Sequence, residues 1–228
     1  MSDAMKTRIF PHRNLAALAV VAAVLLGHPT AKSDVFTSAS TFVNKLNQGY
    51  YFENFAALYT PGEHIVLPSP QSFQGGSPTF QYEIGTSSGQ QGMYGVSPVG
   101  FGTSLSVLES ADDFRVSFTS GNVMAVGGNF FLTGLDYSAL NSGTITLTLS
   151  DGTIETLPSS SNPNDVFRGF ISTVPITSLD IAGPEDQTVE KWVTINNLYV
   201  GSIPEPGTFA LGALGLVTLL VWRSRSRR

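Results

Sequence analysis

The chain has no cysteine among its 228 residues. That excludes disulfides, thiol catalysis and cysteine-ligated zinc, and leaves core packing to hold the fold together. Histidine is nearly as scarce. Of three, His12 and His28 fall in an N-terminal apolar region, and His64 stands alone in the central part. A Ser-His-Asp triad would have to use it. A catalytic zinc site wants about three protein ligands, which the sequence does not supply. Cations are also missing from the middle. Segment 34–202 holds Lys45, Arg115, Arg168 and Lys191 against 15 acidic residues, a net of −11, although the whole chain carries only −5. Nucleic-acid binding rests on neutralising phosphates, so nucleic acid is not the expected partner. Neutral glycans, cations or plain solvation fit this balance.

The absent cations are gathered at the two ends. Lys6, Arg8 and Arg13 precede an apolar run from Leu15 to Leu26 and the turn former Pro29. That is the layout of a secretory signal peptide. Ala31 and Ser33 give small residues at the −3 and −1 positions, so cleavage is expected after Ser33, making Asp34 the new N-terminus. An uncleaved anchor is the alternative, and Met5 is a second possible start. At the other end, Pro204-Glu205-Pro206 is followed by an uncharged run from Thr208 to Trp222 and by Arg223, Arg225, Arg227 and Arg228. The prolines fix φ and remove two backbone donors, which keeps the motif extended. Fifteen helical residues reach only about 23 Å, short of the roughly 30 Å hydrocarbon core. Arginine stems and Trp222 at the interface extend the span. The basic end keeps the C-terminus cytoplasmic.

The Pro-Glu-Pro tripeptide, the Gly/Ala/Leu-rich run and the arginine cluster, in that order, resemble the PEP-CTERM sorting signal of Gram-negative bacteria. The resemblance implies an exosortase-type processing enzyme as partner. It also implies a membrane-anchored precursor, held by its C-terminal helix, and a final place at the cell surface or in the extracellular matrix. An ordinary C-terminal anchor is the plain alternative. A GPI signal is disfavoured because its hydrophobic tail has no basic end. The expected division is a signal peptide over 1–33, one domain over 34–202 and the sorting signal over 203–228.

Segment 34–202 shows almost no helical periodicity, and only Ser38–Leu46 reads as helical. Alternation of period two recurs instead. In Thr144–Leu149 it sets Ile145, Leu147 and Leu149 on one face. Asp151-Gly152 follows as a hairpin turn, and a two-residue turn would place Leu149 beside Ile154. Further strands are expected at 50–59, 64–67, 79–84, 104–108, 114–119, 123–133, 153–157, 166–172, 176–181 and 189–200. About ten short strands bounded by turns predict an all-β fold, a jelly-roll-like β-sandwich flanked by an N-terminal signal helix and a C-terminal transmembrane helix. Tyr51–Phe55, Val126–Phe131, Phe167–Ile171 and Trp192–Gly201 resemble core strands of the jelly-roll domains found among PEP-CTERM surface proteins. That resemblance implies a structural calcium near Glu53 and Asn196. Asn196 stands where an aspartate would suit calcium better.

No catalytic set emerges. Paired carboxylates could serve glycoside hydrolysis, and Glu53, Glu83, Glu109, Asp112 and Asp113 are available. Asp112-Asp113 and Glu185-Asp186 read as turns, and Gly127-Gly128 as a strand bulge. Tyr50, Tyr51, Tyr82, Tyr94, Tyr137, Trp192 and Tyr199 could stack on sugars, whereas Phe130, Phe131, Phe167 and Phe170 are expected in the core. The sequence therefore points to a non-enzymatic exported protein, structural or adhesive. The alternatives are a carbohydrate-binding module contacting extracellular polysaccharide, and a hydrolase. A groove on which tyrosines and acidic or amide side chains converge would favour the carbohydrate-binding reading.

Overall fold

The structure is a computed structural model that describes residues 32–63, 65–89, 92–184 and 190–203. Ala31, His64, Glu185-Asp186 and the whole sorting segment from Pro204 lie outside the described residues. So do both expected hydrophobic spans. Among the described residues no helix is long and apolar enough to cross a membrane.

Among the described residues the domain has fourteen strands and one short α-helix. The first part holds β1 (Asp34–Phe36), helix α1 (Ala39–Val43), β2 (Tyr51–Glu53), β3 (Val66–Leu67), β4 (Gln71–Gly75), β5 (Phe80–Thr86) and β6 (Met93–Val96). The second holds β7 (Ser104–Val107), β8 (Phe114–Phe118), β9 (Ala125–Thr133), β10 (Thr144–Leu149) and β11 (Ile154–Pro158). It closes with β12 (Phe167–Ile171), β13 (Ser178–Ala182) and β14 (Trp192–Gly201). One sheet runs β1-β12-β9-β14-β7-β6-β3, with β2 on the C-terminal half of β14. The other runs β11-β10-β13-β8-β5-β4.

The pairing shows how the sandwich is wound. Strands β7 to β14 form nested antiparallel pairs, β7 with β14, β8 with β13, β9 with β12 and β10 with β11. A ribbon of paired strands has been rolled so that successive pairs fall in alternate sheets, which is the jelly-roll arrangement. The remaining strands widen both sheets beyond this kernel. The expected all-β sandwich is therefore present, with more strands than the sequence announced. Strand β4 hides in a Pro/Gly/Ser-rich stretch because it is an edge strand with one large inward residue, Phe73. Strand β6 is buried on both faces, so it shows no alternation to detect.

Phe80, Tyr82, Ile84, Leu105, Phe114, Phe130, Ile145, Leu147, Leu179 and Ile195 fill the space between the sheets. Two glycines admit rings at close range. A Cβ on Gly75 would lie 2.3 Å from the Tyr51 ring, which closes one end of the core. A Cβ on Gly169 would lie 2.5 Å from the ring of Phe42, which packs on the outside of β9 and β12 with Phe36, Phe167 and Tyr199. Phe42 is carried by α1, whose N-terminus is capped by Ser38. The helix ends at Val43, before the expected Leu46. The ladder tightens to i→i+3 bonds there, and the Asn47 amide donates to the Ser202 carbonyl instead (2.9 Å).

Two expectations are corrected. The β10–β11 loop is Ser150–Gly152, because the Leu149 amide donates to Thr153 O (2.9 Å) and the Gly152 amide to Leu149 O (3.0 Å). Ile154 consequently pairs with Thr148 rather than Leu149. This one-residue slip turns Ile154 to solvent, 65% exposed. The ladder irregularity near Gly127-Gly128 belongs to β14, between Asn196 and Tyr199, where Asn197 takes φ +53°. Strand β9 itself pairs with β12 without a break.

Candidate functional site

The segment expected as one strand over 50–59 breaks after Glu53. Ala56–Leu58 form a 3-10 turn, and Tyr59 leaves it in extended conformation. The chain then reverses at Thr60-Pro61-Gly62-Glu63, with the Glu63 amide donating to Thr60 O (3.1 Å) and Gly62 at φ +79°. Proline followed by a positive-φ glycine is the requirement of a type II turn. The segment crosses β6 at Gly95, where an added Cβ would lie 2.3 Å from Leu58 O. Only a glycine lets that backbone come so close, and the crossing fixes where Tyr59 and Glu63 sit.

A second loop approaches from β9. The Gly134 amide donates to Ser138 O (3.0 Å) and the Tyr137 amide to Gly134 O (2.9 Å). Asp136 Oδ1 accepts from the Ser138 amide (3.0 Å) and hydroxyl (2.6 Å). Those two bonds hold the Asp136 carboxyl below the usual carboxylate range, so it is ionised and exposed at neutral pH. Tyr137 takes φ +60°, uncommon for a bulky side chain and a mark of a conformation fixed by its surroundings. Its ring meets the ring of Tyr94 edge to face, centroids 5.6 Å apart. Burial first, then Tyr137, pushes the Tyr94 hydroxyl up to about 12, against a lowering bond with Ser106.

These two loops and the Ser97–Val99 turn enclose a groove of about 320 Å³, lined by Tyr59, Glu63, Ser97, Pro98, Asp136, Tyr137 and Ser138. Val99 stands at its rim, 92% exposed. A smaller hollow of about 210 Å³ adjoins it through Tyr137 and is lined by Tyr94 and Trp192. Trp192 is half-buried, and its Nε1–H donates to Leu108 O (3.1 Å). A further hollow of about 510 Å³ lies by Asp113, Thr144, Thr146 and Gly183. It presents no aromatic ring. Its carboxylate, Asp113, accepts from the Gly183 amide (2.8 Å). Burial pushes the Asp113 carboxyl up, against that bond, with Asp112 and Asp180 adding to the rise. The aromatic groove is the stronger candidate because it offers both a stacking face and convergent polar groups.

The structure does not bring together the residues expected to share a calcium ion. Glu53 is the register partner of Leu198, which belongs to the inter-sheet core. Its carboxylate accepts from the Tyr51 hydroxyl (2.5 Å) and the Phe55 amide (2.6 Å). Asn196 is the partner of Asn129 on the opposite face of the same sheet. Its Nδ2 donates to Thr103 O (2.6 Å), while its Oδ1 is buried without a hydrogen-bond partner. The added residue in β14 lies between the two positions. Among the described residues no group of three or more His, Asp or Glu side chains could hold a metal. Burial, then the bond to Glu53, pushes the Tyr51 hydroxyl up to about 12, and burial pushes the neighbouring Tyr82 higher still.

Of the other expected site residues, Ser33 and Asp34 are built into the domain. The Ser33 amide donates to Thr153 Oγ1 (2.9 Å) and its hydroxyl to Asp151 Oδ2 (2.7 Å). Asp34 pairs with Ile171 in β1. The carboxylates Glu53, Glu83, Glu109, Asp112 and Asp113 do not share the aromatic groove. Of the stacking candidates named from the sequence, Tyr137 lines the groove, and Tyr94 and Trp192 meet it in the adjoining hollow. Tyr59, Glu63, Asp136 and Ser97 were missed. The Thr60–Glu63 turn signal could have released Tyr59 from the strand assigned to it.

Residues 202–228 match the PEP-CTERM protein-sorting motif. The motif marks the chain as an exosortase substrate, exported and directed to the surface of a Gram-negative bacterium. No curated protein matches the chain. Two solved structures are similar at 13% identity. CsCBM6-3 from Clostridium stercorarium, in complex with cellobiose, has a TM-score of 0.29 over 69% of this chain and 97% of its own. A β-1,3-glucan-binding CBM6 from Bacillus halodurans has a TM-score of 0.31 over 64% of this chain and 99% of its own. Likeness that low carries no argument about binding. The jelly-roll assignment rests on the strand pairing above.

Proposed function

We propose that the chain is a non-enzymatic adhesive protein of the cell surface, which holds extracellular polysaccharide in the groove between Tyr59 and Tyr137. One observation carries this reading. Two tyrosines, two carboxylates and two serines from three separate loops converge on a single groove. A tyrosine face stacks on the apolar face of a sugar ring, and the carboxylates and hydroxyls accept or exchange hydrogen bonds with its hydroxyl groups. Asp136 is ionised, Glu63 lines the same groove, and the domain is strongly acidic. A polyanionic glycan would be repelled, so the ligand is a neutral polysaccharide. The domain would reach its place through cleavage after Ser33, which gives up the two Ser33 bonds to Thr153 and Asp151, and through processing at Pro204-Glu205-Pro206.

Glu63 and Asp136 also make the hydrolase alternative open to test. Hydrolysis needs one carboxyl protonated as a general acid, and the Ser138 bonds favour the opposite state at Asp136. A neutral-glycan array should show saturable binding with no shortening of the bound chains. Chain cleavage that disappears in both Glu63→Gln and Asp136→Asn would replace this reading with the hydrolase.

A further inference from the structure

We propose that the corner of the sandwich from which the chain departs at Ile203 is a membrane-facing surface, seated on the lipid headgroup region of the bilayer that holds the precursor. This rests on reading 208–222 as the precursor's membrane span. Phe52 and Tyr199 are register partners on β2 and β14, with ring centroids 4.7 Å apart. Tyr50 joins them at 5.9 Å from Tyr199. Phe52 is 42% exposed, although an aromatic ring on a β-sandwich would ordinarily be covered. Beside the stack, an apolar groove of about 380 Å³ opens between Pro78, Met124 and Ile203.

The same corner fixes the departing chain. The Asn47 amide donates to Ser202 O (2.9 Å), and its Nδ2 donates to Ser202 Oγ (3.2 Å). Ile203 packs with the cluster around Phe42. Ile203 is therefore held by the domain, and the apolar run starts at Thr208. Fully extended, the five steps between them span at most about 18 Å. A tether that short cannot let the domain turn its opposite end to the membrane. Tyrosine gains from the headgroup region, where its apolar body and polar tip are both accommodated, and phenylalanine buries its ring at the acyl boundary beneath. Exposed Lys45 adds a cation at this corner, in a domain otherwise dominated by carboxylates, and suits anionic headgroups.

The absence of native cysteine allows single-cysteine probes. The full-length precursor carrying Gln48→Cys beside Tyr50, or Ala111→Cys at the opposite end, would be labelled with an environment-sensitive fluorophore. It would then be reconstituted into phosphatidylethanolamine–phosphatidylglycerol vesicles containing a headgroup-level spin-labelled quencher. Quenching at position 48 should exceed that at 111 several-fold. Adding Tyr50→Ser and Phe52→Ser should bring position 48 down to the level of 111 while the precursor still sediments with the vesicles. Equal quenching at the two positions in an inserted precursor overturns the surface and leaves the span intact. A precursor that does not sediment with vesicles overturns both.

Discussion

Tyr137 meets Tyr94 edge to face at 5.6 Å and 81°, and this contact joins the two hollows of the candidate site. The relationship links a strand, β6, to a loop that departs from β9. It gives Tyr137 a fixed partner while leaving its ring at the groove.

Groove affinity should depend on both exposed-loop tyrosines. Replacing Tyr59 or Tyr137 by alanine removes a stacking face, and central aromatic contacts typically contribute more than about 1 kcal/mol to binding, so roughly tenfold weaker binding is expected from either. Gly95→Ala should weaken binding without touching the ligand, because its Cβ would meet Leu58 O at 2.3 Å and displace Tyr59. Calorimetric titration of the three variants checks this. Unchanged affinity in Gly95→Ala would mean the crossing does not position Tyr59.

Gly169 and Phe42 should be energetically coupled. Phe42→Ala removes a buried ring and should cost about 3–5 kcal/mol. Gly169→Ala forces a Cβ into the space of that ring and should cost about 1–3 kcal/mol as overpacking. In the double variant the clash is gone, so the combined cost should fall below the sum. Urea unfolding of the four species measures the coupling, and strict additivity would argue against the packing described.

Alkali should unfold the domain by a route visible in the tyrosines. Tyr51 and Tyr94 are each pushed up to about 12 in the folded state, and Tyr82 is raised further. A group whose folded pKa is raised contributes stability that is complete below its unfolded value near 10. That contribution is lost as pH rises from 10 through 12. Stability should be level across pH 8–9.5 and fall steeply above pH 10. Absorbance of tyrosinate at 295 nm, followed with melting temperature, tests the prediction; early ionisation of all tyrosines without unfolding would contradict it.

Divalent cations should not contribute to folding through Glu53 and Asn196, because those side chains leave opposite faces of one sheet. Chelator should leave the melting midpoint unchanged. Glu53→Gln should lower it by loosening the Tyr51 and Phe55 bonds, at about 1–3 kcal/mol for a charged acceptor. A midpoint that falls with chelator in the parent and not in Glu53→Gln would restore the calcium site.

Much of the fold was readable because alternation is a local signal. Ile145, Leu147 and Leu149 announced β10, and the phenylalanines at 130, 131, 167 and 170 are in the buried cores as expected. What escaped was set by tertiary context. Strand β6 is covered on both faces, so its pattern looks like nothing in particular. The register at Ile154 depended on whether Ser150 joined the strand or the loop. The groove was only half legible. Tyr94, Tyr137 and Trp192 could be named as rings, but the meeting of Tyr137 with Tyr59 and Glu63 depends on Gly95 allowing one backbone to cross another. No local pattern encodes that crossing.

The most direct test of the account is equilibrium binding of the purified protein to neutral polysaccharide, measured side by side for the parent and the Tyr59→Ala, Tyr137→Ala double variant. Saturable binding by the parent, lost in a double variant with unchanged melting temperature, is the predicted result. Absence of saturable binding by the parent, or equal binding by both proteins, would contradict it.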